Sequence, residues 1–454
     1  MPGNEKSLNK TNNFNDIVWG YCAQFLNIGS GLILLPLMLH FLGSNDLGLW
    51  YSFLAITSLV QLLEFGLQPT ITRYISYIFA GAQNINAGEM PTASGEILNT
   101  PLLHDMISAC RRTYLLISLL AFLMLLSVGS YYVHLTTKAQ NNTDQALLSW
   151  ILYSIGIVIN FYFTYLNGIF QGAGHQSIVN KTISINKIAF LLTSSILIVF
   201  NLSLNAIIIG NFISIIISRS YIRAKFNSHF KSENTTQQSN KEQINHLIKL
   251  LWHSTWRLGV VQLGSFMILR ANQLIASSTL GLSAAASYGI SLQILSVLST
   301  FSSLPFTLKI PQITAMHVKK DKASTIRIYK NSLYFCWIIF STSAIFLILL
   351  GGPALAIIKS RTHLLDTLWL TILAITLLLE LNHTISATFL TTLNKVPFVN
   401  ASLTSGGSVV VLSVLSTHYT TLGIGGLILS QAIVQALYNN WKWPLTVTRY
   451  LRTL

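Results

Sequence analysis

Two uninterrupted apolar runs, 115–128 and 190–204, contain no ionisable side chain. They are too long and too continuous for barrel strands, which alternate over about ten residues. They approach the roughly 20 apolar residues that a helix needs to cross a bilayer. Similar runs recur along the whole chain, which is 52% hydrophobic and only 9% charged, with mean hydropathy +0.56. A soluble domain carries about 25% charged residues, because its surface must be wetted. The sequence therefore predicts an all-α integral membrane protein.

Twelve spans are expected, at about 16–42, 47–79, 112–134, 147–171, 181–201, 204–222, 251–279, 284–309, 331–352, 366–391, 398–416 and 421–441. Residues 1–15 are polar and resemble no cleavable signal. Cys22, Cys110 and Cys336 lie far apart and match no disulfide or metal spacing. No cofactor or metal motif is expected.

The net charge of +15 reads as topology. With the N-terminus placed inside, inner segments and the inner ends of spans hold 21 of the 28 Lys and Arg residues, among them Lys6, Lys10, Arg111, Arg219, Arg223, Lys319 and Lys320. The outer turns hold three, Lys138, Lys359 and Arg361. This asymmetry predicts that both termini are cytoplasmic and argues against nucleic acid as a partner. Outer loops are short, and the longer inner loops, 80–111 and 223–250, are too small to form a domain.

The chain carries a trace of duplication. Phe41-Leu42-Gly43 precedes the second span, with Tyr51 beyond it; Thr279-Leu280-Gly281 precedes the eighth, with Tyr288 beyond it. Six spans per half, an even number, give both halves the same orientation. The expected organisation is a bundle over 1–222, a cytoplasmic linker over 223–250 and a second bundle over 251–454, facing each other across a central cavity.

An ionised group in hydrocarbon costs about 2.5–3.5 kcal/mol on insertion scales, so such groups face protein or water. The intramembrane set is Glu64, Arg73, Lys187, Arg257, Arg270 and Glu380. Helical spacing puts Arg270, Gln273 and Ser277 on one face of the seventh span, with Arg257 away from it. Gln24 and Asn27 mark the first span, and Asn160 and Asn167 the fourth. Two readings stay open: a hydrated cavity, or interhelical hydrogen bonds and structural ion pairs. Arg and Lys in a cavity suit an anionic ligand. Glu380 with His383 one turn on, and Glu64, are candidates for proton or sodium coupling. Trp19, Tyr21, Tyr162 and Tyr288 are candidates for stacking on sugars or for packing and interface anchoring.

The stretch from Phe41 to Tyr51, FLGSNDLGLWY, resembles the loop between the first two spans of polysaccharide flippases. Residues Leu62 to Ser76 resemble their second span, Leu166 to Gly172 the end of their fourth, and Leu280-Gly281 to Tyr288 the turn into their eighth. The resemblance covers nearly the whole chain. It implies the multidrug, oligosaccharidyl-lipid and polysaccharide exporter superfamily, in its O-antigen and capsule repeat-unit branch. The implied activity moves an undecaprenyl-diphosphate-linked oligosaccharide from the cytoplasmic to the periplasmic leaflet of the bacterial inner membrane. Its partners would be that substrate, membrane lipids, a coupling ion and polysaccharide-assembly proteins. Beside Phe65-Gly66, the role of Glu64 stays open between packing and coupling.

Three rivals are weighed. A multidrug extruder of the same superfamily would want acidic cavity residues, whereas bases outnumber acids here. A polymerase or glycosyltransferase would want a catalytic cluster and a substantial outer loop, and neither is present. A lipid-II-type flippase would want more than twelve spans.

Overall fold

The computed structural model describes residues 13–64, 66–86, 98–138, 143–230, 241–318, 321–393 and 397–453. Lys6, Lys10, Phe65, Lys319, Lys320 and the side chain of Arg257 lie outside the described residues. The described residues are almost entirely helical.

The first half runs through α1 (Asn13–Phe41), α2 (Ser44–Leu62), α3 (Leu67–Phe79), α4 (Thr100–Met124), α5 (Ser130–Thr137), α6 (Thr143–Tyr162), α7 (Thr164–Gly172), α8 (Gln176–Val199) and α9 (Leu204–Phe230). The second runs through α10 (Lys241–Leu269), α11 (Ala271–Ile275), α12 (Leu282–Thr307), α13 (Ile310–Val318), α14 (Lys322–Ile357), α15 (Thr367–Thr392), α16 (Val399–Tyr419), α17 (Ile424–Leu437) and α18 (Asn439–Thr453). Several pairs are single passages interrupted by a break. One π-turn, Leu125–Gly129, joins α4 to α5, and another, Ala276–Leu280, follows α11.

Among the described residues, nine helical stretches are long and apolar enough to cross a membrane alone, and α2 with α3 does so as a bent pair. The passages led by α10 and by α17 fall outside this set by length: α17 has 14 residues before α18 continues it, and the apolar part of α10 is the shorter stretch Gly259–Leu269. At the start of α18, Asn439 Nδ2 is within 2.9 Å of Ser405 Oγ and 2.8 Å of Gln435 Oε1. An apolar requirement applies to lipid-facing surface, not to groups hydrogen-bonded within a bundle. The result is twelve passages in two like-oriented halves. We call the membrane side carrying both chain ends the terminal face and the opposite side the far face.

The segment expected as a linker is mostly helical. α9 continues to Phe230 and α10 begins at Lys241. Ile244, Leu247 and Leu251 of α10 are buried in the core of the first half with Ile71, Tyr114 and Phe170. The C-terminal part of α10 instead packs on α16, where Gly264 lies against Ser402 and Gly406. One helix therefore bridges the halves.

On the far side, the halves share one core. Leu282, Ala286, Ile290 and Leu355 of the second half are buried with Leu34, Leu39, Leu47 and Phe53 of the first. Here α2 and α12 cross backbone to backbone. A Cβ on Gly48 would lie 1.9 Å from the Leu282 carbonyl oxygen, and one on Gly289 would lie 2.5 Å from the Tyr51 ring. These are the helices that the duplicated Leu-Gly signals introduce. Polar bonds reinforce the seal. Tyr132 OH is 2.7 Å from Leu274 O and 2.5 Å from Ser277 Oγ. The His40 ring nitrogen donates to Ile358 O at 2.8 Å, and Arg361 N–H donates to Leu39 O at 2.9 Å.

Candidate functional site: a cationic cavity between the halves

On the terminal side of that seal lies a cavity of about 510 Å³. Asn27 from α1, Tyr51 and Leu54 from α2 and Lys187 from α8 line it from the first half. Arg270, Gln273, Gln293, Ser296 and Thr300 line it from the second. One cation therefore comes from each half, and among the described residues no carboxylate lines the cavity.

Arg270 is delivered by a helix break. α10 stops at Leu269, Arg270 adopts φ −124°, ψ −28°, and α11 restarts at Ala271. The expected continuous helix face is therefore interrupted here. The Arg270 side chain is exposed and lines the cavity. Gln273 is anchored through Nε2 to Ala285 O at 3.0 Å, leaving Oε1 buried and without a partner. A buried acceptor of this kind is costly unless something hydrogen-bonds to it. Gln293 accepts from Tyr51 OH at 2.5 Å and closes the far end of the cavity. Space there is tight, since a Cβ on Gly31 would lie 2.9 Å from Gln293 Nε2.

The other expected site residues go elsewhere. Gln24 is exposed outside the cavity lining. Arg73 is exposed on α3, with its guanidinium 5.2 Å from the Tyr74 ring centroid. Asn160 and Asn167 do not reach the cavity. They flank the break between α6 and α7, and their side-chain oxygens accept from Arg219 at 2.9 and 3.3 Å. Arg219 itself reads in the sequence as a topology-setting charge at the inner end of a span. In the structure it lies within α9 and organises this amide pair.

Glu64 belongs near this second polar cluster. It sits between α2 and α3, two residues before Gly66, whose φ of +76° favours glycine. Gly66, and not Pro69, marks the interruption; Pro69 is in the first turn of α3, where proline is tolerated. Glu64 Oε1 accepts from Tyr114 OH at 2.8 Å, and Arg219 is its nearby compensating charge. The cluster continues through Gln171 Oε1, which accepts from Gln68 Nε2 at 3.3 Å and from Thr72 Oγ1 at 3.2 Å.

Glu380 and His383 meet within α15, with Oε1 and Nδ1 3.5 Å apart, and lie outside the cavity lining. Tyr288 is fully buried and unavailable for stacking. Tyr162 accepts from Arg111, and Trp19 lies under Lys181. Tyr21 is 70% exposed. Among the described residues there is no cluster of three or more His, Cys, Asp or Glu side chains arranged to hold a metal.

Sequence reasoning missed Gln293 and Arg219. Gln293 is a lone amide in an otherwise apolar stretch of α12, 288–295, and that isolation was the available signal.

No protein-family model matches the chain. No curated protein sequence matches it either. Solved structures do match over nearly its whole length. One is an inward-facing multidrug resistance MATE family transporter of the MOP superfamily, at 14% identity and TM-score 0.66, covering 96% of this chain and 99% of the other. An outward-facing transporter of that family matches at 14% identity and TM-score 0.59, covering 96% and 94%. A MOP superfamily transporter from Pyrococcus furiosus, described as having a binding pocket of reverse polarity, matches at 13% identity and TM-score 0.52, covering 96% and 94%. At these identities the likeness is one of fold: the chain has the two-lobed helical architecture of MOP superfamily transporters.

Proposed function

We propose that the protein is an alternating-access transporter. It moves an anionic lipid-linked oligosaccharide, carried on a polyprenyl diphosphate, between the leaflets of a bacterial inner membrane. One observation carries this reading: Lys187 and Arg270, from opposite halves, line one cavity that no carboxylate lines. A diphosphate bridging them satisfies both cations by charge-assisted hydrogen bonds. The amides Asn27, Gln273 and Gln293 are suited to sugar hydroxyls. Rocking the halves about the α2–α12 crossing moves the cavity's opening from one face to the other. The likeness to structures named inward-facing and outward-facing supports such motion. With the termini cytoplasmic, the sealed far face is periplasmic. Glu64 and the Glu380–His383 pair are the candidates for ion coupling.

A second reading, a multidrug extruder, is favoured by the names of two of the matched structures. The lining chemistry turns us from cationic drugs, for which acidic residues would be wanted. Depletion of the protein in cells separates the two readings. Lipid-linked repeat units gathering on the cytoplasmic leaflet support flipping. Normal glycan export with altered dye resistance supports drug extrusion.

A further inference from the structure

The turn 358–366 joins α14 to α15 on the far face. It ends α14 in a Schellman arrangement: Ser360 N–H donates to Leu355 O at 2.9 Å and Lys359 N–H to Ala356 O at 3.0 Å. Lys359 adopts φ +52° at the position where glycine is normally favoured, because a Cβ is crowded there. A lysine thus occupies a site that disfavours it conformationally. It is also a cation on a sparsely charged face. The described far-face turns hold only Lys138, Lys359 and Arg361 as Lys or Arg residues, and two of these share this turn.

Lys359, Ser360, His363 and Asp366 form the polar rim of a pocket of about 630 Å³. Its other wall is α14, where Leu349 lines the pocket while remaining 66% exposed. Neighbouring Phe346 and Leu350 are 64% and 54% exposed, so the apolar wall runs into the lipid-facing surface of α14. A cationic rim above an apolar wall, at the end of a spanning helix, has the polarity profile of a lipid molecule. The head group meets Lys359 and the acyl chain follows α14.

We propose that this pocket binds the phosphate head group of an anionic membrane lipid at the far membrane boundary. Lys359 Nζ is its principal donor, His363 supplies a further hydrogen bond, and Asp366 opposes it. The site is separate from the cavity of Lys187 and Arg270 and stands independently of the transport reading.

Native mass spectrometry of the full chain tests this. Dioleoylphosphatidylglycerol is titrated against dioleoylphosphatidylcholine in the K187A/R270A background, which removes the cavity cations. The expected result is about tenfold tighter retention of one phosphatidylglycerol, as a charge-assisted phosphate contact implies. Lys359→Gly should abolish that preference without lowering Tm, since glycine suits the φ of +52°. Asp366→Asn should strengthen it. Inorganic phosphate at millimolar concentration should leave it unchanged. Equal retention of the two lipids, an unaltered preference in Lys359→Gly, or displacement by inorganic phosphate would each overturn the proposal.

Discussion

The Tyr51 hydroxyl donates to Gln293 Oε1 at 2.5 Å, across the crossing where α2 of one half meets α12 of the other. This bond lies between the sealed far face and the cavity. It is a contact that opening toward the far face must break. A hydrogen bond of this kind contributes about 0.5–1.5 kcal/mol. Tyr51→Phe should therefore shift the populations toward far-face opening by a few-fold. Spin labels at Phe200 and Thr421, on far-face turns of the two halves, should report a larger long-distance fraction. An unchanged distance distribution would remove Tyr51 from the seal.

The crossing itself depends on two glycines. Gly48→Ala puts a methyl group into the Leu282 backbone, and Gly289→Ala puts one into the Tyr51 ring. Overpacking costs about 1–3 kcal/mol, so both variants should lower Tm in detergent. Gly352→Ala is the control, because nothing lies within 4 Å of a Cβ there. Equal Tm for Gly48→Ala and Gly352→Ala would mean that the halves do not meet as described.

Arg219 should behave as a structural cation. Arg219→Met leaves the side-chain oxygens of Asn160 and Asn167 without their donor and Glu64 without its nearby charge. An unsatisfied buried acceptor costs about 1–3 kcal/mol, and these half-buried oxygens should cost less than that each. Folding yield and Tm should fall, and adding Glu64→Gln should restore part of the loss. The absence of any rescue would disconnect Glu64 from Arg219.

One pH effect lies outside the membrane-spanning helices. Asp321 caps α14, and its carboxylate accepts from Ser324 N–H at 3.0 Å. Hydrogen bonds from Ser324 hold its pKa below the usual aspartate value. A depressed pKa means that the cap stabilises the folded state above the unfolded pKa. That contribution is lost as pH falls below about 4. Protection of the Ser324 and Thr325 amides, taken as exchange relative to the unprotected rate at the same pH, should fall on acidification, and Asp321→Asn should blunt that dependence. Protection at these amides that does not change with pH would rule the cap out.

The membrane-spanning helices were legible because lipid demands continuous apolar runs, and the even count of passages put both ends on one face. Lys187, Arg270, Asn27 and Gln273 were legible as cavity candidates because polar groups inside spans must face protein or water. Helix-face arithmetic worked only up to a break. It is interrupted at Arg270, at Gly66 and between Tyr162 and Thr164. Asn160 and Asn167 looked like ligand-facing amides because nothing local revealed Arg219 opposite them. Arg219, near the end of a span, carried the same sequence signature as the topology-setting charges around it.

The central claim is that Lys187 and Arg270 hold the phosphate of a lipid in transit. Its most direct test is a leaflet assay in proteoliposomes, using a fluorescent undecaprenyl-diphosphate saccharide and a membrane-impermeant quencher. Each cation-to-phosphate contact is worth about 1.5–3 kcal/mol, so Arg270→Ala or Lys187→Ala should slow leaflet exchange by roughly ten- to a hundredfold. Arg270→Lys should retain part of it. Exchange at the wild-type rate in the double alanine variant would contradict the account.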